Sequence, residues 1–278
     1  MATEEALYQV ANRVATITLN RPDKLNAWTA TMEQEVRARL EAAESDDHVG
    51  VIVVTGAGRG FCAGADMSLL SSVASQGLPG SERDALARLR GTAVEREGVP
   101  PDFQKKYSYF LGIEKPILAA INGPAVGLGL VIALYCDLRL ASDAARFSTT
   151  FAQRGLIAEY GMAWMLPRIV GLANALELLF SARQINASEA WRMGLVNQVL
   201  APENFLNQVN EYAVNLASRV SPRSLRVIKR QVYGALSQTL AQSFDLAVEE
   251  MAASLRSEDF KEGVAHFLEK RAPVFKGC

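Results

Sequence analysis

Two stretches of this chain leave little choice of fold. VGVIVVTG (49–56) and KPILAAI (115–121) are apolar almost throughout, with no polar alternation. A strand that is hydrophobic on both faces has to be covered on both faces, and a mostly parallel sheet with helices packed against it meets that condition. Each run also ends in a glycine-rich turn, GAGRGFCAGAD (56–66) and NGPAVGLG (122–129), with a helix expected beyond it. The fold class expected is α/β.

Other elements follow from local pattern. LYQVANRVATITL (7–19) alternates as a hairpin with a turn at Ala11-Asn12. TATMEQEVRARLEAAE (29–44) has the spacing of an amphipathic helix, with Thr31 and Gln34 offering a capping box. LVIALYC (130–136) reads as a short apolar helix and DLRLAS (137–142) as a third strand. After Arg168 helices dominate. Asn186 and Glu189 form a cap pair with Gly194 as a stop, and Ser221-Pro222 opens a further helix. Residues 68–110 are the least regular, with a helix expected near RDALARLRGTAVE (83–95), and so long an irregular segment suits a lid or an insertion. No fixed-period repeat is visible. The layout expected is a βα core over 1–200, with 68–110 as a variable segment, and a helical region over 201–278.

Composition narrows the function classes. The 278 residues carry a formal net charge of −1, which offers no electrostatic footprint for nucleic acid. Basic clusters at PRSLRVIKR (222–230) and FLEKRAPVFK (267–276) read as solvated helix faces or as phosphate contacts. Cys62, Cys136 and Cys278 are too scattered for a disulfide framework, and His48 and His266 lack metal-ligand spacing, so no metal is expected. MATEEALYQV has neither the basic nor the apolar region of a signal peptide, and AVGLGLVIALYC (125–136) is too short to span a bilayer. A reduced, soluble, cytoplasmic protein is expected.

The two glycine-rich turns can aim backbone N–H groups at one point, because glycine allows unusual φ/ψ angles and close approach. Two N–H donors on one oxygen make an oxyanion hole, with each donor worth a few kcal/mol in a transition state. Spacing alone leaves tight corners as the alternative. GAGRG lacks the dinucleotide fingerprint, and neither turn has the Gly-Lys-Ser/Thr of a P-loop.

FCAGADM (61–67), NGPAVGLGL (122–130), CDLRLAS (136–142), ARF (145–147) and LPRIVG (166–171) together resemble the enoyl-CoA hydratase/isomerase, or crotonase, superfamily. LNRPDKLNAW (19–28) and SEAWRMGLVNQV (188–199) are similar to it as well. The resemblance implies a spiral of ββα turns, a C-terminal helical trimerisation region, a homotrimer or a dimer of trimers, and acyl-CoA thioester substrates. It implies no separate cofactor, coenzyme A being part of the substrate, and no nucleic-acid or membrane partner. The family's two oxyanion N–H donors map onto Ala63 and Leu128, and its coenzyme A contacts onto Lys24, Leu25, Ala27, Ala63, Ala65, Asp66 and Met67. A residue of the tail, Phe275 or Lys276, is placed to complete a neighbouring subunit's site.

The two glutamates of typical hydratases in this family fall on Val131 and Phe151, neither of which transfers a proton. Glu159, in GLIAEYGMAW (155–164), occupies a third position that resembles the acid site of Δ3,Δ2-enoyl-CoA isomerases. Burial among Ile157, Ala158, Tyr160 and Met162 is expected to raise its pKa and suit it to act as base and then acid. The alternative is a helix N-terminal acid held by the helix dipole. Asp66 is expected to be structural or near the coenzyme A moiety, and Asp137 to orient a strand. Tyr109, Glu114 and Tyr160 are candidate assistants, and Phe151 and Trp164 are candidates for an acyl pocket or the core. The function expected is double-bond isomerisation with Glu159 as acid/base. The alternatives are enoyl-CoA hydration, thioester hydrolysis or C–C cleavage, and non-catalytic acyl-CoA or RNA binding.

Overall fold

The chain was analysed as a computed structural model that describes residues 4–77, 80–91 and 96–278. The last four residues of the helix expected over 83–95 lie outside this range. Strands β1 (Ala6–Ala11) and β2 (Val14–Leu19) form the antiparallel hairpin. Its turn falls one residue later than expected, on Asn12 and Arg13. Both have positive φ, 51° and 66°, as the tight turn that matches strand twist requires.

Helix α1 (Ala30–Ser45) is capped by Thr29, whose hydroxyl accepts from the Met32 N–H at 3.0 Å. The expected cap at Thr31 is incorrect: Thr29 has the extended backbone of a cap, while Thr31 is already inside the helix. Strand β3 (Val51–Gly56) is buried at every position, and helices α2 (Met67–Gln76) and α3 (Glu82–Arg90) precede β4 (Ile117–Ile121). The chain continues through β5 (Ala125–Val126), α4 (Leu128–Tyr135), β6 (Leu138–Ser142), β7 (Arg146–Ser148), α5 (Met162–Val170) and α6 (Leu172–Ser181). It ends through β8 (Ile185–Asn186), α7 (Ala187–Arg192), β9 (Gln198–Leu200), α8 (Phe205–Arg219), α9 (Pro222–Ala235), α10 (Leu240–Ser254) and α11 (Glu258–Glu269). The caps expected at Asn186 and Ser221 are present.

The main sheet has the order β1-β2-β3-β4-β6-β9 and is parallel from β2 onward. A second, small sheet has the order β5-β7-β8, and a bridge from Cys62 to Ala125 extends it. The chain therefore repeats one path. It leaves β3 for Cys62, β4 for β5 and β6 for β7, each time stepping from the large sheet to the small one before reaching a helix. This is the expected ββα spiral. Its regularity is hidden in the sequence because α2, α3 and the segment up to Ile117 separate the first step from the second, whereas the second and third follow closely.

Alternate residues of the central strands serve two cores. Val51, Val53, Leu118, Ala120 and Leu140 pack with Phe205, Val209, Ala213 and Ala217 of α8. Ile52, Val54, Ala119 and Ile121 face the larger core that contains α1 and α4. So α8 covers the outer face of the sheet. By contrast, α9, α10 and α11 contain only Val227 and Asp259 as buried residues. Asp137 fastens α9 to the sheet: it accepts from the Ile117 N–H at 2.7 Å, from Lys229 Nζ at 2.8 Å and from the Tyr233 hydroxyl at 3.0 Å.

Asn26 ties the loop after β2 to the first glycine-rich turn. It is fully buried, accepts from the Arg21 N–H at 2.9 Å and donates to the carbonyls of Ala57 and Gly60 at 3.0 and 2.8 Å. Its φ of 57° is one that asparagine adopts more readily than most residues. Asn26→Ala is expected to cost roughly 2–3 kcal/mol, by stranding buried partners in a left-handed turn. The shift in denaturant midpoint at unchanged slope measures it.

Candidate active site

The two glycine-rich turns dock backbone to backbone. The Pro124 carbonyl accepts from the N–H groups of Phe61 and Cys62 at 3.2 and 3.0 Å, and the Val126 N–H returns a bond to the Cys62 carbonyl at 3.0 Å. Asn122 spans the same gap, donating to the carbonyls of Gly56 and Gly58 at 2.9 and 3.0 Å. The approach is close enough that a Cβ on Gly129 would lie 2.1 Å from the Cys62 carbonyl oxygen. Gly64, at φ 104°, faces the second turn, and a Cβ there would sit 3.8 Å from the Leu128 nitrogen.

These contacts decide which N–H groups are free. The donor expected at Ala63 is not available, because its N–H is given to the Leu25 carbonyl at 2.9 Å. Two residues on, the Gly64 carbonyl accepts from the Trp28 N–H at 2.7 Å, and the Asp66 N–H donates to the Trp28 carbonyl at 3.0 Å. In a trans peptide the C=O and the following N–H point in opposite directions. The Ala65 N–H therefore faces away from Trp28. Leu128 is the first residue of α4, where an N–H has no intrahelical acceptor, and the preceding Gly127 supplies no side-chain cap. Neither the Ala65 nor the Leu128 N–H has a protein acceptor among the described residues. Of the N–H groups expected to be free, that of Ala63 is therefore committed, whereas that of Leu128 is free among the described residues, as is that of Ala65.

The other residues expected at the first turn are partly brought together. Arg21 Nη1 donates to the Ala27 carbonyl and to Asp66 Oδ2, at 2.6 and 2.8 Å, clamping the loop of Leu25 and Ala27 onto the turn of Ala63 to Asp66. Asp66 also caps α2, accepting from the Ser68 N–H and hydroxyl at 2.9 and 2.7 Å. The Ser68 and Arg21 bonds hold its carboxyl down at about 2, so it stays ionised and structural. Lys24 and Met67 are exposed at either edge of this assembly.

Val131 and Phe151 are buried apolar side chains, and the Phe151 ring lies 3.9 Å from where a Cβ on Gly127 would stand. They make the wall behind the second turn hydrocarbon. Glu159 sits in the turn before α5, half-buried, and its carboxylate makes no hydrogen bond or ion pair among the described residues. Burial alone raises its pKa above the ordinary glutamate value. Contrary to expectation, Ile157 is itself 77% exposed; Ala158 and Tyr160 are partly buried and Met162 fully. The helix-terminus alternative does not hold either, because α5 begins at Met162 with no acid in its first turn.

A ladder of rings connects the Glu159 turn to the first glycine-rich turn. Tyr160 meets the Tyr107 ring edge-on at 4.9 Å, and Tyr107 meets Trp28 edge-on at 6.0 Å. Trp28 is in turn bridged to Ala65. Lys106 lies 5.3 and 5.6 Å from the Tyr107 and Tyr160 ring centres and pairs with Glu33 at 3.3 Å. The other candidate assistants are elsewhere. Tyr109 is buried against α1 under Arg37, and Glu114 is exposed and paired with Arg226 at 3.8 Å. Trp164 is 38% exposed, with Arg168 stacked on its ring at 3.9 Å. Phe275 borders a cavity of about 380 Å³ beside α9 and α11, lined also by Ser221, Ser257 and Phe260 and separate from the docked turns. Sequence reasoning missed Trp28, Tyr107 and Tyr135, because an apolar or aromatic side chain carries no signal of its role in a site.

Comparison with known proteins agrees with this architecture. Residues 9–278 match the model of the enoyl-CoA hydratase/isomerase family. The chain is 33% identical to the 1,2-epoxyphenylacetyl-CoA isomerase of Escherichia coli K12, over 99% of each protein. It is 30% identical to the crotonyl-CoA hydratase of Syntrophomonas wolfei, again over 99% of each. The crystal structure of an enoyl-CoA hydratase from Bacillus anthracis superposes with a TM-score of 0.85 at 28% identity, covering 99% of this chain and all of that one. With its ββα spiral, its docked glycine-rich turns and this match along nearly its whole length, the chain belongs to the enoyl-CoA hydratase/isomerase family.

Proposed function

We propose that the protein moves a double bond in an enoyl-CoA thioester, with Glu159 as the single acid/base. The observation that carries this reading is a half-buried carboxylate with no partner among the described residues, while the family's other acid positions, Val131 and Phe151, are hydrocarbon. The N–H groups of Ala65 and Leu128 hold the thioester oxygen, helped by the positive end of α4. Glu159 takes a proton from Cα of a 3-enoyl thioester. The C–H electrons form a dienolate whose charge rests on that oxygen. The same carboxyl returns the proton to Cγ, and the double bond finishes between Cα and Cβ. One acid suffices for this 1,3-shift, whereas hydration needs water to be activated as well as a proton to be delivered. The name of the Escherichia coli relative, an isomerase acting on an acyl-CoA, supports the reading. Coenzyme A is held, in this proposal, by Lys24, Leu25, Ala27, Asp66 and Met67 around the first turn.

We also propose that copies of the chain assemble as a homotrimer or a dimer of trimers through the helical region. Leu240, Phe244, Val248, Met251 and Leu255 are all exposed and recur at helical spacing along α10 and its end, a larger apolar stripe than a soluble surface ordinarily carries.

The conjugated-thioester absorbance tests the reaction. It is expected to grow with 3-enoyl-CoA and to persist with 2-enoyl-CoA; its loss with 2-enoyl-CoA would make the protein a hydratase. Glu159→Gln is expected to abolish turnover, and substantial residual turnover would remove Glu159 from the mechanism. Because burial raises the Glu159 pKa, its base form appears only at higher pH than for an exposed glutamate. The acid limb of kcat/KM should lie correspondingly high.

The same shift has a consequence for stability. A raised folded pKa means that the folded state favours the proton, so the ionised group costs stability above that pKa and the cost vanishes as pH falls through it. Glu159→Gln is therefore expected to melt no lower than the wild type at pH 7, with any gap closing in acid. Leu128→Pro removes one N–H at the first position of a helix, where proline fits. It is expected to lower kcat about a hundredfold while the circular dichroism spectrum is retained.

A further inference from the structure

Helix α4 makes a second contact at its other end. Its last residue, Tyr135, is buried, and its hydroxyl donates to the Tyr160 carbonyl at 2.8 Å. That carbonyl has no other donor among the described residues. The turn it belongs to is unusual: Tyr160 and Gly161 are both left-handed, at φ 47° and 77°, and a side chain at Tyr160 makes that conformation costly without support. The fit beneath the turn is tight, since a Cβ on Gly161 would come 2.2 Å from the Tyr135 hydroxyl oxygen.

The helix that carries Tyr135 is itself fixed at both ends. Gly129 lies against the Cys62 carbonyl at one end. At the other, Arg139 donates to the Cys136 carbonyl at 2.7 Å and to the Leu195 carbonyl at 2.8 Å. One short buried helix thus has the Leu128 N–H at its start and the support of the Glu159 turn at its end, about 10 Å apart at 1.5 Å per residue.

We propose that Tyr135 is a positioning residue: by holding the Tyr160 carbonyl it fixes the turn that presents Glu159, and through α4 it sets that carboxylate relative to the Leu128 N–H. The inference rests on the reading of Glu159 as the proton carrier. Burial pushes the Tyr135 hydroxyl up to about 12, so it remains a donor throughout any enzymatic pH range.

Tyr135→Phe keeps the ring and deletes only the hydroxyl. We expect kcat to fall about tenfold, the worth of one net hydrogen bond, with KM little changed. The acid limb of the pH profile should also move down toward that of an ordinary glutamate, as the loosened turn lets water reach Glu159. A fall in kcat with the limb unmoved would show a merely structural role and overturn the proposal, as would wild-type values of both. Gly161→Ala gives an independent check. In the wild-type background its methyl meets the hydroxyl, whereas with Tyr135→Phe that oxygen is absent, so its penalty on kcat should be smaller in the double variant. Additive penalties would overturn the proposal. Glu159→Gln separates the two readings: turnover retained in that variant removes Glu159 and this inference with it. Turnover abolished there, with Tyr135→Phe indistinguishable from wild type, removes this inference alone.

Discussion

The docking of the two glycine-rich turns is the constraint on which the rest of the molecule depends. Backbone groups of Phe61 and Cys62 and of Pro124 and Val126 satisfy one another directly, in an approach that leaves no room for a Cβ at Gly129. Such contact is possible only where Cβ atoms are absent, and Gly129, which a Cβ would drive into the Cys62 carbonyl, shows how tight it is. Once the turns are docked, most of their polar backbone groups are spoken for. Ala65 and Leu128 lie among those that are not, and their availability follows from that hydrogen bonding. The same accounting removes Ala63, whose N–H is committed to Leu25.

The electrostatic character of the site follows from what surrounds the turns. Val131, Phe151, Tyr107 and Trp28 are buried and offer no charge. Charged pairs are kept at a distance or neutralised, with Asp66 bound to Arg21 and Ser68, and Lys106 paired with Glu33. A half-buried carboxylate is stabilised less well than in water, which makes it a better base once ionised and keeps its acid form populated to higher pH. Glu159 and Asp66 are thus opposite cases in one fold. Asp66 is tied down by hydrogen bonds and held low, whereas Glu159 has no partner among the described residues and is raised.

How much of this was legible in the sequence depended on whether the signal was local. Val51 to Thr55 and Ile117 to Ile121 announce buried parallel strands by composition alone, and Asn186 and Ser221 announce helix starts by their side chains. Strands β5, β7 and β8 have two or three residues each, too few to show alternation, and they are held by pairing partners distant in sequence. The choice between Ala63 and Ala65 was illegible for a different reason. Both are alanines in one turn, and only the carbonyls of Leu25 and Gly64 distinguish them. Glu159 stood out as a lone acid in an apolar run, but that run is not uniformly buried, because Ile157 faces solvent.

The short length of α4 connects these observations. Eight residues, all buried, run from the second turn to the Glu159 turn. A helix in that setting is a poor hinge: its side chains are packed on every side, its start lies against Cys62 and its end is clamped by Arg139. The distance from the Leu128 N–H to the backbone of the turn that carries Glu159 is then set by a rigid element. A site with only one acid needs that precision more than a site with two. In the proposed isomerisation the same carboxyl would have to reach both ends of a three-carbon unit while the thioester oxygen stays fixed, so an error in placing it would affect proton removal and proton return alike.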